Sequence, residues 1–127
     1  MIGVFSWLFH SAPSPTLRNM SPNGAVETVL WVFLAVTAGI CEEIIFRGYL
    51  QKQSAAMLNS TGAGVIVQGI VFGASHGYQS FKFMITIAVF GCLFGMLAQW
   101  RHSLRPGMIA HFLQDGVTGL VISQIKG

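Results

Sequence analysis

Long apolar runs alternate with short polar segments along this chain, and the runs have the length of membrane-crossing helices. About 20 consecutive apolar residues cross a bilayer as a helix. The first run is read either as one long helix or as two helices joined by a kink near Gly39. The pattern therefore predicts an all-α, polytopic membrane helix bundle of about four transmembrane helices. These helices cover residues 22 to about 57, 63–78, 81–100 and 106–125.

The first 24 residues follow a different pattern. Residues 10–24 are rich in Ser, Pro and Asn, which predicts a loop or linker. Ser21 followed by Pro22 has the character of a helix N-cap and a first-turn proline. The short apolar stretch 1–9 lacks the positively charged start of a secretory signal. We therefore interpret residues 1–24 as an interfacial or linker segment that precedes a membrane domain of residues 25–127.

The composition agrees with a membrane location. Hydrophobic residues make up 53% of the chain and charged residues 9%, whereas soluble domains carry about 25% charged residues. The net charge of +3 comes from scattered Lys and Arg without a basic run, which indicates membrane anchoring and not nucleic-acid binding. The lipid bilayer is thus the expected environment, and we expect a multi-pass protein of the cell membrane.

Ionisable residues interrupt the apolar runs, although each costs about 2.5–3.5 kcal/mol in a membrane helix on insertion scales. Glu43 and Arg47 are four residues apart, so they share a helix face and are predicted to pair. Glu42 has no such partner in its own helix and is placed to take a proton from water. The ionisable residues within the predicted spans include Glu42, Glu43, Arg47, His76, His111 and Asp115.

Three separate helices contribute an acid/base group at membrane depth. His76 alone is typical of a core residue with a local hydrogen-bond partner. His111 and Asp115 are four residues apart and share one helix face. Together with Glu42, these residues predict a joint site, and both a catalytic centre and a proton relay are consistent with it.

Three motifs in this order carry a resemblance to a known family. "EEIIFR", "FGASH" and "HFLQD" resemble the motifs of the CPBP intramembrane endopeptidases. This family includes the type II CAAX prenyl proteases and bacterial proteins of bacteriocin processing or self-immunity. The resemblance implies a CPBP-like membrane protease domain over residues 25–127. It also implies hydrolysis of peptide bonds in membrane-associated substrates, with lipidated peptides or proteins of the prenylated CAAX type among them.

The resemblance also implies roles for the site residues. Glu42 stands at the position of the general base that activates water, with assistance from His76. His111 and Asp115 stand where side chains steady the oxyanion or orient the water. Glu43 and Arg47, the rest of the first motif, form a supporting pair. Asp115 replaces the asparagine of the CAAX proteases, and an ionised aspartate cannot donate a hydrogen bond to an oxyanion.

Several alternatives stay open at this point. A zinc ion or another divalent metal could be held by His76, His111, Glu42 and Asp115 with an open position. A metal-free mechanism with Glu42 as base is favoured, so we assign no cofactor and leave the metal open. A non-catalytic immunity or scaffold protein of the same fold and a subunit of a proton-coupled transporter are the functional rivals. Family members usually carry further helices before the first motif, so a short member, a fragment or a chain with a partner chain is expected.

Overall fold

A computed structural model describes residues 14–126 and the side chains of residues 14–125. Over this range the chain is helical and contains no strand, which confirms the predicted all-α class. A π-helical segment, Glu43–Leu50, joins two of the helices without a break. The α-helices are α1 (Pro15–Met20), α2 (Gly24–Glu42), α3 (Gln51–Met57), α4 (Thr61–Ala74), α5 (Phe81–Arg101) and α6 (Arg105–Lys126).

The N-terminal end of the bundle differs from the prediction in two details. Residues 15–20 were expected in a loop but form α1, and the Ser14 hydroxyl caps this helix by accepting a hydrogen bond from the Leu17 N–H (3.2 Å). The long helix begins at Gly24 and not at Pro22, with Asn23 in the N-cap position. A six-residue helix is too short to leave a periodic hydrophobic pattern. The apolar stretch 1–9 lies outside the described residues.

The helix that runs from residue 24 to residue 57 is widened near its middle and has no break at Gly39. The Gln51 N–H donates to the carbonyl of Phe46, five residues earlier, as in a π-helix. Gly39 instead marks a close contact, since a Cβ atom there would lie 3.0 Å from the carbonyl oxygen of Met108. Single π turns are rare and occur frequently at functional sites. This one begins directly after Glu42.

The helices run alternately up and down. α2 packs against α6 and α4 against α5, each pair being antiparallel. α5 runs parallel to the π-helical segment, because Arg47 donates to the carbonyl of Gly91 (3.3 Å) and Gln51 to that of Gly95 (3.1 Å). A core of Phe72, Ile87 and Phe94 lies between these helices.

The apolar surface of the bundle faces outward. Two helices, Gly24–Met57 and Phe81–Arg101, are long and apolar enough to cross a membrane, and α4 is a shorter apolar helix. Only 17% and 22% of their most apolar windows are buried, whereas the core helix of a soluble protein would be mostly buried. Large hydrophobic side chains such as Phe33 and Ile45 are exposed while Glu43 and Arg47 are buried. Bilayer lipid is the solvent that favours this distribution. That the chain crosses the membrane about four times remains a prediction.

Candidate active site

The buried centre of the site is the carboxylate of Glu43. The ion pair expected from the helical spacing is present, since Oε1 of Glu43 lies 2.9 Å from a guanidinium nitrogen of Arg47 and neither side chain is exposed. The same oxygen accepts a hydrogen bond from Nδ1 of His111 (3.1 Å). The first turn of α6 lies against the other oxygen, because a Cβ atom on Gly107 would be 2.8 Å from Oε2. An ion pair, a hydrogen bond and the positive end of a helix thus compensate this buried charge.

Arg47 connects the same centre to α5. Its guanidinium donates to the Gly91 carbonyl (3.3 Å) and lies over the ring of Phe72, 4.4 Å from the ring centroid. Gly91 also permits a close approach of α4, since a Cβ atom there would lie 3.0 Å from Cα of Gly69 and 3.1 Å from the Phe72 ring. One buried arginine therefore joins the π-helical segment, α4 and α5.

The imidazole of His111 extends from this centre toward the other acid groups. It is 2% exposed and stacks on Phe94. An ionised Glu43 can only accept a hydrogen bond, so Nδ1 of His111 is assigned the proton. Nε2 then points to the opposite side, 3.6 Å from Oε2 of Glu42 and 3.5 Å from Oδ2 of Asp115.

Glu42 and Asp115 lie at the wall of a cavity of about 250 Å³. Their side chains are 30% and 25% exposed, in contrast to the fully buried Glu43. Two neighbouring glutamates therefore have different environments: one is locked in an ion pair, and the other faces open space. A group that takes a proton from water needs contact with that water, and of the two glutamates only Glu42 lines the cavity.

His76 is not part of a membrane helix as the sequence predicted, because α4 ends at Ala74 and His76 lies in the following turn. From there its side chain lines the same cavity. Nδ1 lies 2.9 Å from the carbonyl oxygen of Phe72, four residues earlier, so a neutral ring donates from Nδ1 and leaves Nε2 as an acceptor. The structure thus brings all four predicted acid/base residues to one cavity.

The predicted metal ligands are not arranged as a metal site. Among residues 14–126, no three His, Cys, Asp or Glu side chains are grouped so that they could hold a metal ion. The arrangement of these side chains therefore does not support the zinc alternative.

Two features of the site were not predicted from the sequence. The hydrogen bond between Glu43 and His111 joins residues 68 positions apart, and local spacing carries no information on such a contact. The cavity also has an apolar part, which includes Trp31, Ala35 and Ala38 of α2. Trp31, a large aromatic residue within a long apolar helix, is the signal in the sequence that could have pointed to this wall.

An all-α bundle with apolar surroundings and a buried acid/base cluster beside a cavity defines an integral-membrane protein with an internal polar site. The family described as type II CAAX prenyl endopeptidase Rce1-like matches residues 24–117, and the chain belongs to this family. The resemblance in the three motifs is thereby confirmed. The chain has the fold of a protease family of membranes.

A curated relative gives less functional information. The uncharacterized protein YpbD of Bacillus subtilis (strain 168) is 31% identical over 88 residues, which is 68% of this chain and 42% of YpbD. The chain thus matches less than half of the length of this relative. No solved structure shows significant similarity to the chain.

Proposed function

We propose that this protein is a multi-pass intramembrane endopeptidase of the cell membrane, with residues 25–127 as its protease domain. Its substrates are peptides or proteins at the bilayer, with prenylated CAAX-type substrates among them. The observation that supports this proposal most strongly is the convergence of Glu42, Asp115 and Nε2 of His111 at one cavity, with distances of 3.5 and 3.6 Å. Membership of a protease family supports the same activity.

The proposed mechanism begins with a water molecule beside Glu42. The Glu42 carboxylate takes a proton from this water while the water oxygen attacks the carbonyl carbon of the scissile peptide bond. The carbonyl oxygen becomes an oxyanion in the tetrahedral intermediate. Glu42 then gives the proton to the leaving amine nitrogen, and the C–N bond breaks. His76, on the cavity wall, assists in placing the water.

His111 and Asp115 act on the opposite side of the reacting group. A neutral His111 orients the water by accepting its hydrogen bond at Nε2. A doubly protonated His111 donates from Nδ1 to Glu43 and from Nε2 to the oxyanion, where donors fixed in advance stabilise developing charge. Glu43 and Arg47 fix the orientation of the imidazole in both cases.

The test is hydrolysis by Glu42→Gln. Purified protein in detergent is incubated with prenylated and unmodified peptide libraries, and products are identified by mass spectrometry. We expect the Gln variant to lose about 10²-fold or more of the activity, because it lacks the base but keeps the shape. Glu27→Gln is a matched control, since Glu27 is exposed at the start of α2 and caps the Asn23 N–H.

Near-normal turnover by Glu42→Gln would reject Glu42 as the base. An absence of cleavage by the wild type with every peptide would support the non-catalytic immunity or scaffold alternative. Proton-coupled uptake into liposomes without cleavage would support the transporter alternative.

A further inference from the structure

The cavity extends from the acid/base groups into an apolar region between α2 and α6. Trp31 lies on α2 about three turns before Glu42, or about 16 Å along the helix axis. Ala35 and Ala38 lie between them on the cavity wall and leave space because their side chains are small. Leu17 of α1 closes the same region. The cavity is therefore polar at the level of Glu42 and apolar toward Trp31.

Trp31 is held in place by α6. Its indole Nε1–H donates to the backbone carbonyl of Asp115 (3.0 Å). The indole also fills the notch left by Gly119, since a Cβ atom on Gly119 would overlap with Nε1 and Cε2 of the indole. The position of this aromatic wall thus depends on a hydrogen bond and on a glycine in the opposite helix.

We propose that Trp31 determines specificity by limiting the size of the apolar side chain that a substrate places next to its scissile bond. The identification of the ligand as a peptide rests on the proposed function. The cavity is continuous from the Glu42 carboxylate to the indole, so a peptide bond at Glu42 puts a neighbouring side chain into the apolar part. An apolar cavity of about 150 Å³ holds a benzene molecule. About 250 Å³ therefore suffices for one large apolar side chain and its peptide group.

Substitutions at Trp31 and at Gly119 are expected to change the depth of the apolar region in opposite directions. Trp31→Leu removes most of the ring and deepens the apolar region. Gly119→Ala fills the notch, so the indole has to leave it. We expect the indole to move toward the cavity that it already lines. In the double variant Trp31→Leu/Gly119→Ala, the added methyl group has no indole to displace. The apolar region should therefore be as deep as in Trp31→Leu.

The experiment measures binding in the Glu42→Gln background, where peptides are not consumed. The probes are short peptides whose residue next to the scissile position carries a linear alkyl side chain of one to about ten carbons. We expect the affinity to rise by about fourfold per buried methylene up to a limiting length. This limit, the longest alkyl side chain that still gains affinity, should increase by about two methylenes in Trp31→Leu and in the double variant. It should decrease in Gly119→Ala.

Two matched controls should leave the limit unchanged. Gly116→Ala adds a methyl group to α6 that would meet only the Phe112 ring at 3.9 Å, and Trp100→Leu changes an exposed tryptophan at the end of α5. An equal limit in the wild type and Trp31→Leu, or a longer limit in Gly119→Ala, would overturn the proposal. If Gly119→Ala does not fold, Trp31→Leu and the double variant decide the question.

The result also separates this proposal from that of proteolysis. A limit that moves as expected, together with no cleavage by the wild type, would reject hydrolysis and retain the role of Trp31. Cleavage by the wild type with a limit that does not move would reject the role of Trp31 alone.

Discussion

At the scale of single residues, the two neighbouring glutamates show how one short motif provides both support and reactivity. Glu43 is buried against Arg47, His111 and the first turn of α6, while Glu42 faces the cavity. The pairing of Glu43 with Arg47 could be predicted because it follows from local helix geometry. The contact with His111 could not, because it depends on how α6 packs against the π-helical segment.

Variants of the buried pair should separate stability from activity. Arg47→Ala strands the Glu43 charge, and we expect it to lower the free energy of unfolding by about 3–5 kcal/mol. Glu43→Leu/Arg47→Met removes both charges and should recover most of this loss, because apolar replacements of a buried pair are often neutral. Hydrolysis should not recover, since Nδ1–H of His111 loses its acceptor. Thermal melts in detergent and turnover per folded molecule measure the two effects.

A double variant that is stable and hydrolyses peptides like the wild type would contradict the positioning role of Glu43. A stable but inactive Arg47→Ala would place Arg47 in the chemistry itself.

Asp115 stands where the motif resemblance implies the asparagine of the CAAX proteases. If its role is to donate a hydrogen bond to the oxyanion, Asp115→Asn should keep substantial activity, because the amide is a donor at every pH. Asp115→Ala offers no donor and should lose about 10²-fold or more. Initial rates of both variants, each checked for folding, measure this difference. The distance of 3.5 Å from Nε2 of His111 is compatible with a second role, orienting the imidazole as an ionised group.

An Asn variant as inactive as the Ala variant, with both folded, would reject the donor role. It would favour the role of ionised Asp115 in orienting His111.

At the scale of helices, the sequence predicted where the long elements lie but not their ends or irregularities. The apolar runs identified α5 and α6 to within a residue or so, because each run is continuous and bounded by polar residues. The end of α4 before His76 was missed, since "GASHGY" has no residue that forbids a helix. The π-helical segment was not predicted, because eight residues are too few to show a hydrophobic period that differs from that of an α-helix.

The contact between α6 and Glu43 predicts a strong effect of Gly107→Ala. The new Cβ atom would lie 2.8 Å from Oε2 of Glu43, and the carboxylate cannot move away without weakening its bonds to Arg47 and His111. We expect a loss of about 1–3 kcal/mol in the free energy of unfolding, as for other overpacked sites, and a lower turnover. Denaturation in detergent and initial rates measure both.

Gly62→Ala is the matched control for this substitution. Gly62 lies in the first turn of α4, and the nearest atom to a new Cβ would be the Ser60 hydroxyl oxygen at 3.9 Å. Replacing a helical glycine without a clash should stabilise the protein by about 0.4–1 kcal/mol. Equal effects of the two substitutions would contradict the tight contact at Glu43.

At the scale of the whole molecule, the charges of Glu43 and Arg47 lie inside beside an apolar core, many large apolar side chains lie outside, and the helices alternate in direction. Composition alone predicted the bilayer as solvent. The order of the helices around the site could not be read from the sequence, because it depends on contacts such as those of Arg47 with Gly91 and of Trp31 with Asp115.

The alternating directions predict the membrane sides of the turns. If α2–α3, α4, α5 and α6 each cross the bilayer, the turns at 58–60 and 102–104 lie on one side and the turn at 75–80 lies on the other. Single cysteines at Leu58, Ser103 and Ser80 report these sides, after the free thiols Cys41 and Cys92 are replaced by alanine. A membrane-impermeant maleimide is applied to intact cells and to inverted vesicles. We expect Leu58→Cys and Ser103→Cys to react in the same preparation and Ser80→Cys in the other.

The cysteine-free protein is the control for background labelling, and hydrolysis by each variant shows that it is folded. Labelling of positions 58 and 103 from opposite sides would mean that only one of α4 and α5 spans the bilayer. In that case, labelling of position 80 from the same side as position 58 would identify α4 as a re-entrant helix. This outcome is physically meaningful because α4 has 14 residues, about 21 Å at 1.5 Å per residue, which is shorter than the roughly 30 Å hydrocarbon core.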